Sequence, residues 1–227
     1  MEVLQSTEFW IGLLEICWIN IILSGDNAVV IALAARSLPA QQQKRAIFWG
    51  SALAVVLRIG LTVMAAKLMA LSYLQIIGGL LLLWIGVQLL GQGDEDEAGH
   101  SSSGGGLVTA IRTILVADLV MSLDNVIAVA AASKGSVTLL VIGLAISIPL
   151  VIFGSTLMIR LMERFPAIVF AGAGLIGWVG GETIASDNAL VALVKAYPWL
   201  HYGSAALGAV LVLSVGLAMK RRTAEAA

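Results

Sequence analysis

Ser24-Gly25-Asp26-Asn27 recurs 98 residues later as Ser122-Leu123-Asp124-Asn125, each copy inside a long apolar stretch. A carboxylate at the centre of a membrane helix costs roughly 2.5–3.5 kcal/mol on insertion scales. A chain that carries this cost twice, in the same four-residue setting, puts those carboxylates to use. The other acids well inside apolar stretches are Glu15, Asp118 and Glu182, and the single base there is Arg58. Asn20, Asn27, Asn125, Ser24 and Ser122 add amide and hydroxyl oxygens nearby. The inventory is oxygen throughout, which suits hard divalent ions such as Mn²⁺, Mg²⁺ or Ca²⁺. Thiolate and imidazole sites would suit Zn²⁺ or copper, but no histidine is expected to be buried and Cys17 stands alone. Asp and Asn also favour helix caps, which is the purely structural alternative for both motifs.

These residues need a membrane scaffold, and the composition supplies one. Of 227 residues, 59% are hydrophobic and 12% charged, with a mean hydropathy of +0.99. Soluble domains carry about 25% charged residues, so the chain is a polytopic membrane protein. A net charge of −1 gives no reason to expect nucleic acid as a partner. The lone Cys17 cannot form an intrachain disulfide, and Glu2 and Glu8 without a basic n-region argue against a cleavable signal peptide.

A span needs about 20 apolar residues. The pattern predicts seven transmembrane helices, over 9–34, 46–66, 70–91, 107–132, 137–158, 166–186 and 200–219. Between the third and fourth lies a stretch rich in Gly, Ser and acids, read as a flexible cytoplasmic linker at 92–106 with an end-to-end distance of roughly 20 Å. Basic residues set the orientation. With the N-terminus outside, the cytoplasmic segments hold Arg36, Lys44, Arg45, Arg160, Arg164, Lys220, Arg221 and Arg222, and the outer ones only Lys67, Lys134 and Lys195. The expected location is the cell inner or plasma membrane, with the C-terminus cytoplasmic.

The duplication extends past the motif. Gly50 to Met69 aligns with Gly143 to Met162, and Trp84-Ile85-Gly86-Val87-Gln88 with Trp178-Val179-Gly180-Gly181-Glu182. The chain therefore reads as an all-α membrane protein with a three-helix repeat at 1–91 and a second at 107–186. An extra helix and basic tail follow at 187–227. Three spans is an odd number, so the second repeat enters the membrane inverted, the layout with which transporters build a midplane site. Two inverted copies would bring Asp26, Asp118 and Asp124 and the amides of Asn20, Asn27 and Asn125 towards one axis. Gly25 would loosen the first helix at its motif and free backbone carbonyls for the same site. Arg58 reads as an ion-pair partner that holds a carboxylate. Glu15 fits an outer vestibule or the interface, and Glu182 a proton-coupling position. Gly172, Gly174, Gly177, Gly180 and Gly181 read as packing positions.

The two S-x-D-N motifs, the seven-span spacing and the Trp-x-Gly-x-Gln/Glu element resemble the TerC family of integral membrane proteins, in particular its short bacterial branch. The resemblance covers nearly the whole chain. It implies kinship with the lysine-exporter superfamily and export of manganese from the cytoplasm, with Asp26, Asp118 and Asp124 as motif acids beside Asn27 and Asn125. Spacing alone does not choose Mn²⁺ over Mg²⁺ or Ca²⁺.

The expectation is a secondary transporter rather than an enzyme, with Mn²⁺ as cargo and no prosthetic group. No nucleotide-binding motif is present, so an ion gradient or the membrane potential would drive it. Alternatives are an exporter of an amino acid or other small organic solute, and an accessory protein that delivers metal to a partner. An intramembrane aspartyl protease built on Asp26 and Asp124 is disfavoured, because neither copy has a Gly-x-Gly-Asp context. The expected partners are the divalent cation and the lipid bilayer, and the sequence is compatible with a homo-oligomer.

Overall fold

Runs of Leu, Ile, Val and Ala leave the backbone no solvent in which to hydrogen-bond, and helices satisfy every amide internally. In the computed structural model, which describes residues 7–23, 25–68, 71–91, 105–133 and 136–226, all regular elements are helices. They are α1 (Thr7–Leu23), α2 (Gly25–Ala35), α3 (Ala40–Leu68), α4 (Leu74–Gly91), α5 (Gly105–Ala132), α6 (Val137–Arg164), α7 (Ala167–Ala185), α8 (Val191–Ala196) and α9 (Trp199–Ala226). Six of these, α3 to α7 and α9, are long and apolar enough to cross a membrane. The first expected span, 9–34, corresponds to the shorter apolar helices α1 and α2, which flank Ser24. Leu14, Phe153 and Leu207 are among many large apolar side chains exposed on the outer surface, as a lipid-facing surface requires.

Several boundaries differ from the hydropathy reading. α3 begins at Ala40 rather than 46, and α6 continues to Arg164 rather than 158. Hydropathy measures the apolar slab, whereas Gln, Lys, Arg and Met are good helix formers that carry the helix beyond it. α4 starts at Leu74 rather than 70, after Tyr73, whose φ of 70° lies in the left-handed region and ends regular structure there. The segment before the last span holds the short helix α8, too short to cross a membrane. The expected linker at 92–106 lies outside the described residues except for Gly105 and Gly106, which open α5.

Two kinds of packing position the interior. α7 lies between α4 and α9 and packs most extensively on them. The contacts run through glycine, so the backbones themselves meet. A Cβ at Gly177 would lie 2.5 Å from the Gly208 carbonyl oxygen, one at Gly79 2.5 Å from that of Gly180, and one at Gly181 would strike the Ser204 carbonyl. The second kind joins the motif-bearing helices to their neighbours, with α3 along α5, and α6 along α1 and α2. Gly50 of α3 receives Ile114 of α5, while Gly143 of α6 receives Ile16 of α1. Ile16 precedes Ile114 by the same interval that separates the two motifs, and Gly50 and Gly143 head the second aligned block. The two contacts are reciprocal.

Gly181→Val is expected to destabilise the protein by about 1–3 kcal/mol, since backbone rather than a movable side chain blocks the new atoms. Gly60 has nothing within 4 Å of its added Cβ, so Gly60→Ala should be neutral or slightly stabilising. Thermal unfolding of the two detergent-solubilised variants, followed by size-exclusion chromatography, checks the contrast.

Candidate functional site

Arg58 and Asp118 meet where α3 runs along α5, and both are buried, at 4% and 6% exposure. Arg58 Nη2 lies 2.5 Å from Asp118 Oδ1. Arg58 Nε donates to Ser122 Oγ at 2.9 Å, and that hydroxyl donates to Asp118 Oδ2 at 3.2 Å. Ser122 sits one turn after Asp118 on the same face of α5, so the three groups close a ring in which both carboxylate oxygens are engaged. Ser122, the first residue of the second motif, is itself fully buried.

Beside this ring lies a cavity of about 10 Å³, lined by Asn27, Ser51, Arg58, Asp118 and Ser147, with Ile31, Ala54, Val55, Ile148 and Val151 completing the walls. Such a volume holds roughly one water-sized sphere. Asn27 is buried on α2, and its backbone N–H donates to Oδ1 of Asp26 at 2.8 Å. Residues 25–27 form the first turn of α2, where amides lack intrahelical acceptors and a carboxylate is a natural partner. Asp26 is half-buried and lies within electrostatic reach of Arg58 and Asp118. Ser147 donates to the Leu144 carbonyl at 2.6 Å. Ser51 is 2% exposed, and its hydroxyl has no hydrogen-bond partner among the described residues. Helices from both halves of the chain thus converge on one small cavity lined by polar and apolar side chains alike, with a guanidinium in its wall.

The other candidates lie elsewhere or outside the described side chains. Glu15 is exposed on α1, beside exposed Leu14, and is not brought to the cavity. Glu182 of α7 is 3.0 Å from His201 Nε2 of α9, a half-buried pair near the ends of both helices. His201 had escaped attention because it lies at the edge of the last span, where a histidine looks like an interfacial residue. Asn125 is half-buried on α5, while the side chains of Asn20 and Asp124 lie outside the described residues. Among the described residues no three of His, Cys, Asp and Glu are grouped to hold a metal. A cation here would draw on a mixed set of carboxylate, amide and hydroxyl oxygens.

Asp187, just past α7, was also missed because an Asp-Asn pair in a loop reads as turn chemistry. It is fully buried. Its Oδ1 accepts the N–H of Tyr73 at 2.9 Å and of Ala189 at 2.8 Å, and its Oδ2 that of Gln75 at 3.0 Å and of Ile76 at 3.3 Å. It therefore caps the N-terminus of α4 from a distant loop and steadies Tyr73 in its left-handed conformation. Burial pushes the carboxyl upward, but the four backbone donors outweigh it and hold Asp187 below the usual carboxylate range.

Because its folded value is depressed, the stabilisation from Asp187 is complete above the unfolded value of about 3.9 and is lost as pH falls through the folded one. Asp187→Ala should cost about 2–3 kcal/mol at neutral pH. Thermal unfolding of wild type and variant across pH checks this, and the gap should narrow below about pH 4.

Comparison with known proteins bears on the whole chain. A sequence profile for the integral membrane protein TerC family matches residues 5–224. The chain is 49% identical over 183 residues to the uncharacterized membrane protein YjbE of Bacillus subtilis, covering 81% of this chain and 83% of that protein. It is 26% identical over 203 residues to the UPF0053 inner membrane protein YoaE of Escherichia coli K12, covering 82% of this chain but only 39% of that protein. It is 25% identical over 193 residues to the uncharacterized membrane protein YkoY of Bacillus subtilis, covering 74% of this chain and 60% of that protein. No solved structure matches the chain.

Proposed function

Because the chain belongs to the integral membrane protein TerC family, we propose that it is a secondary transporter that exports a divalent metal cation, Mn²⁺, from the cytoplasm. The observation that carries the proposal is the cavity between α2, α3, α5 and α6, with its buried carboxylate and the oxygens in its lining. At about 10 Å³ it suits a bare ion. An amino acid would need a pocket many times larger, and pockets for drug-sized ligands run to about 300–1,000 Å³. Hard divalent ions take carboxylate, amide and hydroxyl oxygen, the donors present in Asp118, Asn27, Ser51 and Ser147. Manganese, among such ions, rests on the resemblance to the family's manganese exporters.

The reciprocal fits of Ile114 on Gly50 and of Ile16 on Gly143 support reading the two halves as an inverted repeat. In folds built from such repeats one bundle of helices rocks against another about a fixed site and opens it to each side in turn. α2, α3, α5 and α6 would provide the site, and the glycine-packed α4, α7 and α9 the frame. Asp26 and Asp124, one per repeat, would complete the coordination as the cation arrives. Of the two drives expected from the sequence, an inside-negative membrane potential opposes the export of a cation, so an ion gradient, through exchange for protons or another cation, would supply the drive. The distribution of basic residues supports an N-terminus outside and a C-terminus in the cytoplasm.

Purified protein in liposomes should move Mn²⁺ in preference to Mg²⁺, Ca²⁺ and Zn²⁺. Asp124→Asn should reduce that movement at least 100-fold while the protein remains folded in the bilayer. Unchanged Mn²⁺ movement by folded Asp124→Asn would sink the proposal.

A further inference from the structure

We infer that Arg58 is a tethered substitute for the transported cation, bound to Asp118 while the carrier is empty and displaced from it when a divalent cation enters. The inference rests on the transport reading and concerns the same cavity. Among the described residues that line it, Asp118 is the one carboxylate and Arg58 the one cation. Both oxygens of the carboxylate are engaged, Oδ1 by Arg58 and Oδ2 by Ser122. A cation placed in so small a space would touch the guanidinium, and two like charges buried side by side repel strongly at low dielectric. Cation and guanidinium therefore cannot share the cavity, and the guanidinium must leave Asp118 for the cation to be bound.

The structure offers the displaced group a place to go. Ser51 lies two turns before Arg58 on the same face of α3, and its buried hydroxyl lines the same cavity with no hydrogen-bond partner among the described residues. Side chains on a helix lean towards its N-terminus, so the long arginine stem reaches in that direction. Across the duplication, moreover, the charges occur as a unit. Asp118 of the second half aligns with Asn20 and Arg58 of the first half with Val151, so the pair related to Asp118–Arg58 by the duplication, Asn20 and Val151, carries neither charge. A guanidinium kept for general solubility or packing would have no reason to follow the carboxylate in this way.

The consequence is a carrier that can reorient when empty. Bound to Arg58, Asp118 is not left as an uncompensated buried charge, a condition costly enough to stall the return step. Arg58→Gln should therefore bind Mn²⁺ at least tenfold more tightly than wild type in lipid nanodiscs. In liposomes it should keep exchange of internal for external Mn²⁺ but lose net movement. Arg58→Lys, which preserves a mobile cation, should recover net movement. A folded Arg58→Gln protein that binds Mn²⁺ no more tightly, or that loses exchange together with net movement, overturns the inference. Should Arg58→Gln fail to fold, wild-type protein with ¹³C-labelled arginine guanidinium decides the matter by infrared difference spectroscopy. A guanidinium band that shifts on Mn²⁺ binding and is lost in Arg58→Lys supports displacement, and an unmoved band overturns it. Wild-type protein that binds and moves Mn²⁺ while Arg58 stays in place defeats this inference alone. Wild-type protein that neither binds nor moves Mn²⁺ defeats the transport reading as well.

Discussion

The buried pair of Arg58 and Asp118 is the interaction on which the arrangement of this protein turns. Taking both ions out of water costs several kcal/mol each, and close pairing with further hydrogen bonds is what makes that burial tolerable. Ser122 supplies those bonds by accepting from the guanidinium and donating to the carboxylate. Removing either ion alone would leave the other stranded, a loss of about 3–5 kcal/mol in buried pairs generally. The pair thus fixes α3 against α5 at one register. It also makes the neighbouring cavity a place where electrostatic energy changes sharply with the presence of one more charge.

The helices around the pair are divided between support and site. α4, α7 and α9 approach through glycine until backbone meets backbone, as at Gly177 and Gly208. That contact leaves no soft side chain to adjust, so these helices form one tightly packed unit. Asp187 extends the unit by fastening the loop after α7 to the start of α4 with backbone hydrogen bonds. On the other side, Ile114 and Ile16 fill notches at Gly50 and Gly143. These are contacts of side chain into groove rather than of backbone on backbone. The cavity is lined by helices of this second group.

Much of this was legible from residue types. Apolar lengths located the helices, and the glycines of α7 fall at close contacts with α2, α4 and α9. The singular base among buried acids pointed to an ion pair, and Arg58 does meet an acid. Other features depend on distance in space. Asp187 looks like a turn residue until Tyr73, more than a hundred positions earlier, is folded against it. The pairing of Glu182 with His201 likewise joins separate helices. Helix ends such as Ala40 and Arg164 escaped the hydropathy reading because helix propensity does not stop where the lipid does. Glu15 shares a helical stripe with Asp26 only if one ideal helix is drawn through both, and it is exposed.

A bistable charge site needs a carboxylate that can exchange partners, and Asp118 holds that position here. The most direct test is equilibrium binding of Mn²⁺ to the full chain in lipid nanodiscs, read by electron paramagnetic resonance, for wild type and Asp118→Asn. The account predicts a single saturable ion per chain, in an all-oxygen environment, that is lost in Asp118→Asn. Saturable binding of undiminished affinity and stoichiometry in folded Asp118→Asn would contradict it.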